Sequence, residues 1–353
     1  MDRWFSRSLI DWYKSNKRDL PWRNEKDPYK IWLSEVILQQ TQVAQGLNYY
    51  LKFVQKYPTV KHLAQASEDE VLKLWQGLGY YSRARNLHGT AKVIDTQFKG
   101  QFPDTYAQIR DLKGIGDYTA AAIASFAYDL PHAVIDGNVY RVLSRVFGIK
   151  TPIDSGEGKK EFQKLATQLL NKKLVAEHNQ AIMEFGALNC RPTNPACVVC
   201  VFKTRCYALQ TSTVSEFPIK AKKNKIRLRY FNYLVIFDQK GRLLLNRRAE
   251  NDIWQGLYEF ELIESTKEIA FQQLSTMTKF KNACPGHFQL LTTSKKYKHV
   301  LSHQHLFSIF YVIRLETNHS NKRKKTTIKN LDQFAMPRLI EKFLDDCELK
   351  EII

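Results

Sequence analysis

Cys190-Arg191-Pro192-Thr193-Asn194-Pro195-Ala196-Cys197-Val198-Val199-Cys200-Val201-Phe202-Lys203-Thr204-Arg205-Cys206 sets four cysteines in a C-x6-C-x2-C-x5-C array. The chain shows no secretory signal, and intracellular thiols stay reduced, so the cluster reads as a metal site rather than as two disulfides. Four thiolates are the ligand set of a cubane iron–sulfur cluster. They also bind structural zinc, but zinc sites usually show two short C-x(2 to 4)-C pairs. Here the three gaps all differ. Spacing alone therefore leaves zinc open as the alternative and favours iron–sulfur.

Working back from the array, the first 210 residues carry little strand signal. Apolar residues recur at helical spacing in 31–54, 69–75, 119–127, 138–147 and 161–170. Turn punctuation falls at Pro58, Gly77-Leu78-Gly79, Gly100 to Pro103, Gly114-Ile115-Gly116 and Gly156 to Gly158. An all-α module is expected over residues 1–212, closing in the cysteine loop 190–206. Forward of the array, residues 213–229 turn polar and then strongly basic, with Lys220, Lys222, Lys223, Lys225, Arg227 and Arg229. That run is either a solvated tether or a segment that lies along a phosphate backbone. Residues 230–353 read as α+β. Strands at Tyr230–Phe237 and Arg242–Asn246 flank a turn at Asp238 to Gly241, a strand follows at Leu306–Leu315, and helices are expected near 266–280 and 336–346. Asn321 to Lys325 is a short basic tract.

The chain has 353 residues, enough for two cores. Its 54 Lys and Arg outnumber 35 Asp and Glu, for a net charge of +19. Such a balance predicts a polyanionic partner, nucleic acid before a membrane surface. Met1–Lys14 is interrupted by Asp2, Arg3, Arg7 and Asp11, so it lacks the apolar centre of a signal peptide. No stretch approaches 18 uninterrupted apolar residues, which excludes a conventional membrane helix. A soluble intracellular protein is expected.

Three segments could carry chemistry. Leu112 to Ala120 holds Gly114-Ile115-Gly116 between two helical stretches. The glycines allow a tight turn, and the amides opening the next helix would bind phosphate without reading sequence. An ordinary helix–helix turn would look the same by itself. Val134-Ile135-Asp136-Gly137-Asn138-Val139 places a carboxylate where a helix begins. Asp136 there is an N-cap, and the positive helix end would also keep it ionised, as a group facing a developing cation must be. On a helix, Glu35 has Ile31, Trp32 and Leu38 at i−4, i−3 and i+3. That apolar setting would raise its pKa and favour a general acid, whereas most helical glutamates are solvated. A desolvated acid beside an ionised carboxylate is what glycosidic cleavage through an oxocarbenium-like transition state calls for.

Hairpin, then Asp136, then the cysteine array is the order of the endonuclease III superfamily of DNA glycosylases. Within it the chain closely resembles the MutY-type adenine DNA glycosylases. The resemblance runs through Leu20-Pro21-Trp22-Arg23, Trp32-Leu33-Ser34-Glu35-Val36 to Gln39-Gln40-Thr41-Gln42, Gly77-Leu78-Gly79-Tyr80-Tyr81 with Arg83-Ala84-Arg85-Asn86-Leu87, and Asp136-Gly137-Asn138-Val139. It implies an all-α helix-hairpin-helix glycosylase module with one 4Fe-4S cluster on Cys190, Cys197, Cys200 and Cys206, followed by an α+β Nudix-like domain. The implied substrate is double-stranded DNA with adenine opposite 8-oxoguanine or guanine. The implied product is an abasic site.

By the same resemblance Glu35 is the acid and Asp136 stabilises or traps the sugar cation, with Tyr118 and Asn138 orienting them. Trp22, Arg23 and Gln180 line the pocket for the extruded base, while Gln40, Thr41 and Tyr80 probe the stack. Gly114 and Gly116 belong to the DNA-binding hairpin. Trp22 and Tyr80 could equally be aromatic core. Lyase members of the superfamily carry a lysine where this chain has Tyr118, which implies hydrolysis without strand cleavage. A lyase for oxidised pyrimidines, or a non-catalytic iron–sulfur DNA-binding protein, are the competing assignments.

The Nudix-like resemblance rests on Leu243 to Arg248 and on Trp254-Gln255-Gly256-Leu257-Tyr258-Glu259-Phe260. No R-E-x-x-E-E helix follows, so nucleotide pyrophosphatase activity is not expected. Leu301-Ser302-His303 matches the loop that contacts 8-oxoguanine, with leucine where the family usually has phenylalanine. A metal on His299, His303 and His305 is the competing reading, opposed by strand alternation. Cys284 and Cys347 read as structural thiols. A monomer in the cytoplasm, associated with the nucleoid, is implied.

Overall fold

The computed structural model describes residues 4–221, 226–249, 252–316, 323–347 and 349. Lys222, Lys223 and Lys225 of the basic run, and Asn321 and Lys322 of the short tract, lie outside the described residues. The chain divides into two compact units, Met1–Gln65 with Asn86–Lys223, and Ala66–Arg85 with Asn224–Ile353.

Every regular element among the described residues of the first unit is a helix. Its central helix, Pro28–Leu38, begins because Asp27 accepts a hydrogen bond from the Tyr29 amide and Pro28 occupies the first turn, where it has no N–H to waste. Tyr29 and every residue from Ile31 to Ile37 are buried, so the helix is covered on all sides rather than on one stripe. The expected apolar run 31–54 is broken after Leu38, and a second helix starts at Val43. Gln40 adopts φ 55° in that break. The expected turn at Gly156–Gly158 is instead the first turn of a helix, Gly156–Leu169. Ser155 caps it by accepting from the Gly158 amide, and that local bond outweighs the glycines' preference for a turn.

The hairpin joins helices Tyr106–Asp111 and Asp117–Tyr128. Gly114 sits at φ +82°, and a Cβ there would lie 2.6 Å from the Asn86 side chain, so only glycine fits. Gly116 caps the second helix without any side-chain acceptor for its first-turn amides. Helix Gly137–Phe147 starts at Asp136 and runs to the cysteine loop, while Val175–Leu188 packs beside it.

The second unit is α+β. Its strands are β1 (Arg227–Phe237), β2 (Leu243–Arg247), β3 (Tyr258–Glu259), β4 (Glu261–Ser265), β5 (Phe288–Thr293), β6 (Tyr297–Val300), β7 (Gln304–Leu315) and β8 (Lys324–Thr326). The sheet order is β3-β2-β1-β7-β5, with β1 and β7 parallel and in register from Arg227 opposite Gln304. Both faces of β1 are buried from Phe231 to Phe237. Phe231, Tyr233, Val235 and Phe237 join Leu339, Ile340 and Phe343 of helix Arg338–Asp346, and Leu234 and Ile236 join Leu274 and Phe280 on the other side. The helix expected near 266–280 is two short ones, Phe271–Thr276 and Thr278–Ala283, parted at Met277.

Candidate functional site

One cavity of about 180 Å³ in the first unit gathers Trp22, Arg23, Glu35, Thr41, Tyr118, Asp136, Asn138 and Gln180. The buried helix Pro28–Leu38 carries Glu35 into the interior, 8% exposed. Tyr118, in the first turn after the hairpin, donates its hydroxyl to Glu35 Oε2 at 2.6 Å. Burial raises the Glu35 carboxyl from its ordinary 4.5 to about 7, and Asp136 adds to the rise, while the Tyr118 hydroxyl and the Arg23 charge oppose it. A carboxyl titrating there can hold a proton at neutral pH and release it to a base.

Asp136 is held by its own helix. Oδ1 accepts from the Val139 amide at 2.8 Å and Oδ2 from Asn138 Nδ2 at 2.7 Å. Burial raises its pKa, against these donors and the Arg141 charge. The expected helix terminus is present, but desolvation outweighs it. Arg141 in turn grips Asn138 Oδ1 at 2.8 Å and the carbonyls of Gly186 and Cys190, both at 2.7 Å. At Gly186 a Cβ would lie 2.5 Å from that of Asn138, so glycine allows the two helices to meet at the carboxylate. A protonatable acid and a second, donor-held carboxylate thus face one small cavity.

Residues that sequence reasoning passed over complete the wall. Glu184 accepts from Arg18 through Nε at 2.8 Å and Nη2 at 2.7 Å, and from Arg23 Nη2 at 2.5 Å. Burial pushes its carboxyl up, but the Arg18 hydrogen bonds and the Arg23 charge bring it below the ordinary value. Tyr13 donates to Gln180 Oε1 at 2.8 Å. The available signal was spacing, since Glu184 stands four residues after Gln180 on one helix. Arg23 Nε is buried with no acceptor among the described residues.

The other expected site residues lie elsewhere. Gln40 is exposed in the interhelical break, and Gly114 and Gly116 form the hairpin turn. Tyr80 belongs to the second unit, 46% exposed at φ 49°, with the Arg83 guanidinium 5.6 Å from its ring. Leu301, Ser302 and His303 form the turn between β6 and β7 of that unit. Leu301 packs on the core, whereas Ser302 and His303 are exposed and bonded to each other at 2.9 Å. His299 and His305 point to opposite faces, since His305 pairs with Val300 rather than with His299.

The four cysteines are free thiols brought into electrostatic range of one another. Burial pushes Cys200 up to about 11, with Cys190, Cys206 and Cys197 adding to it. Four ionised sulfurs there would need a compensating cationic centre. Arg145 Nη1 approaches Cys190 Sγ at 3.5 Å and the Phe202 amide approaches Cys200 Sγ at 3.4 Å, donors suited to cluster-bound thiolates. Among the described residues no group of three or more His, Cys, Asp or Glu forms an ion-holding site. Four thiols with these N–H donors around them fit a four-thiolate metal centre, cluster or zinc alike. No helix among the described residues is long and apolar enough to cross a membrane.

Comparison with known proteins adds an independent line. The profile of the HhH-GPD superfamily base excision DNA repair proteins matches residues 33–171, and that of the NUDIX domain matches 232–346. The adenine DNA glycosylase of Buchnera aphidicola subsp. Baizongia pistaciae is 33% identical over 349 residues, covering 96% of this chain and 95% of that protein. That of Homo sapiens is 44% identical over 215 residues, 58% of this chain and 39% of that protein. Among solved structures, a thermostable thymine-DNA glycosylase aligns with a TM-score of 0.55 at 29% identity, over 59% of this chain and 95% of its own. Endonuclease III in a non-covalent DNA complex aligns with a TM-score of 0.53 at 19% identity, over 60% and 95%, a likeness of fold.

Proposed function

The chain belongs to the adenine DNA glycosylase family, and on that premise we propose that it excises adenine opposite 8-oxoguanine or guanine in double-stranded DNA, by hydrolysis alone. The observation that carries this reading is Glu35, buried, titrating near 7, and sharing a base-sized cavity with Asp136. A buried acid cannot reach a base inside a paired duplex, so adenine must be extruded into the cavity. Trp22, Arg23 and Gln180 line it, and the unpaired Arg23 Nε offers a donor to the incoming base.

Glu35 then transfers its proton to a ring nitrogen of adenine. The glycosidic bond breaks with its electron pair on the base, leaving an oxocarbenium ion at the sugar. Asp136 opposes that charge, with Asn138 fixing its orientation. Glu35, now ionised and steadied by the Tyr118 hydroxyl, takes a proton from the water that attacks the cation. Water supplies the new C–O bond, and the products are free adenine and an abasic site. Tyr118 has no amine, so no Schiff base forms and the strand stays intact.

Gly114 and Gly116 would present first-turn amides to a phosphate, while Gln40, Thr41 and Tyr80 would probe the base stack. In the second unit Ser302 and His303 are the polar groups offered to 8-oxoguanine, and Leu301, packed inward, anchors them. Cys190, Cys197, Cys200 and Cys206 would hold one 4Fe-4S cluster. When bound, it supplies the positive charge that four thiolates require and orders the loop carrying Arg191, Lys203 and Arg205 toward DNA phosphates.

The test is single-turnover cleavage of duplexes with adenine opposite 8-oxoguanine, guanine or thymine, with and without alkali. The reading expects adenine loss that needs alkali for nicking and no trapping of protein on DNA by borohydride. Nicking without alkali, or activity confined to oxidised pyrimidines, would assign a lyase instead. Binding without base loss would assign a non-catalytic role.

A further inference from the structure

We propose that Arg229 and Gln304 are positioning residues that set the turn Leu301-Ser302-His303, and through it the discrimination of 8-oxoguanine from guanine. The inference rests on the reading of that turn given above. Arg229, on β1, is 4% exposed and uses all five of its N–H donors. Nε and Nη2 reach Glu264 at 2.8 and 2.5 Å, Nη1 and Nη2 reach Asp252 at 2.7 and 2.8 Å, and Nη1 also reaches Gln304 Oε1 at 3.2 Å. Gln304 is the residue that follows the turn. Its carbonyl accepts from the Leu301 amide at 2.8 Å, and the Arg227 amide donates to the His303 carbonyl at 3.0 Å. The exit from the turn is therefore tied to a fully committed guanidinium.

The entry is tied to the same carboxylate. Asp252 also accepts from Arg248 Nη2 at 2.6 Å, and Arg248 Nη1 donates to Glu259 at 2.6 Å. The Arg248 guanidinium lies 5.9 Å from the Trp254 ring, and that ring meets His299 of β6 edge-on at 5.6 Å. Trp254 holds φ 61°, a left-handed conformation that a tryptophan keeps only where its surroundings impose it. Asp252 thus links the strand entering the turn to the strand leaving it.

Such a network is a poor way to gain stability, because apolar residues of the same volume do as well without desolvating charges. What it supplies is fixed geometry, and the side chains it fixes flank two exposed polar groups, Ser302 and His303. Placing those groups matters only for a ligand told apart by hydrogen bonds, as an oxidised base is from its parent.

The experiment uses the full-length protein and three variants: Gln304→Ala, which cuts only the link to the turn; Asp252→Asn, which weakens both arms; and the pair Ser302→Ala with His303→Ala. Single-turnover rates are measured for adenine opposite 8-oxoguanine and opposite guanine, together with thermal melting. Gln304→Ala is expected to lower the ratio of the two rates by about threefold to tenfold, the loss of one hydrogen bond, with the rate opposite guanine and the melting temperature unchanged. Asp252→Asn should lower the ratio at least as far. The proposal is overturned if the Ser302/His303 pair lowers the ratio and Gln304→Ala does not, or if both rates fall together. If the pair itself leaves the ratio unchanged, the reading of the turn fails and this inference falls with it.

Discussion

Replacing Glu35 by glutamine should abolish base excision and yet make the first unit more stable above neutral pH. Glutamine keeps the shape of the side chain and an acceptor for the Tyr118 hydroxyl, but it carries no charge to desolvate. The cost of the native residue follows from linkage. Its pKa rises from an ordinary 4.5 to about 7 on folding, so below 4.5 the carboxyl is protonated in both states and costs nothing. As pH climbs through 4.5 the unfolded chain ionises first, and stability is lost steadily until the folded form also ionises near 7. Above that the loss is constant, at about 3 kcal/mol, since each pKa unit is worth 1.36 kcal/mol. Denaturant unfolding of native protein and Glu35→Gln, followed by a signal from the first unit at pH 4.5, 6 and 8, reads this directly. Equal stability at pH 4.5 and a gain for the variant that grows to pH 8 is the expected pattern. A variant no more stable than native protein at pH 8, or a gain independent of pH, would refute the claim that Glu35 is a strained, desolvated acid.

Other consequences can be measured separately. The single-turnover rate should fall about tenfold per pH unit above 7, as the acid loses its proton. Tyr118→Phe removes a donor that favours ionised Glu35, so it should move that limb upward by about one pH unit, visible in a pH–rate profile. Gly114→Ala meets both a left-handed backbone and the Asn86 side chain; a loss of about 1–3 kcal/mol in thermal stability is expected, with weaker binding to any duplex in a filter or anisotropy assay. Gly186→Ala pushes on Asn138, so excision should fall at least tenfold while affinity for undamaged duplex changes little. Removing iron with a chelator should weaken DNA affinity without altering the helical circular dichroism of the rest of the chain.

Much of this protein is legible in one dimension because its chemistry is carried by local signals. A cysteine spacing, a glycine pair at a helical turn, an Asp-Gly-Asn at a helix start and a glutamate among apolar neighbours all describe what a few adjacent residues must do. Each of them stands where local preference and tertiary packing agree. The strands around Asp238–Gly241 and the long strand ending at Leu315 were readable for the same reason, since pleat alternation and turn chemistry are short-range. Reading failed where a longer-range contact or a side-chain cap decided the outcome. The glycines at 156 and 158 look like a turn until Ser155 caps them into a helix, and the apolar run from 31 to 54 gives no hint of where it bends.

The site was decided by tertiary structure. Glu35, Tyr118, Asp136 and Gln180 are far apart in the chain, and only the packing of four helices brings them around one cavity. Glu184, with Arg18 and Arg23 upon it, could not be singled out from composition, because a buried ion pair depends on partners more than 160 residues away. Sequence supplies the functional groups and the local turns that aim them. Burial, which raises the Glu35 pKa, and the hydrogen bonds that hold Asp136 and the turn at 301–303, exist only once distant segments have displaced water from between them.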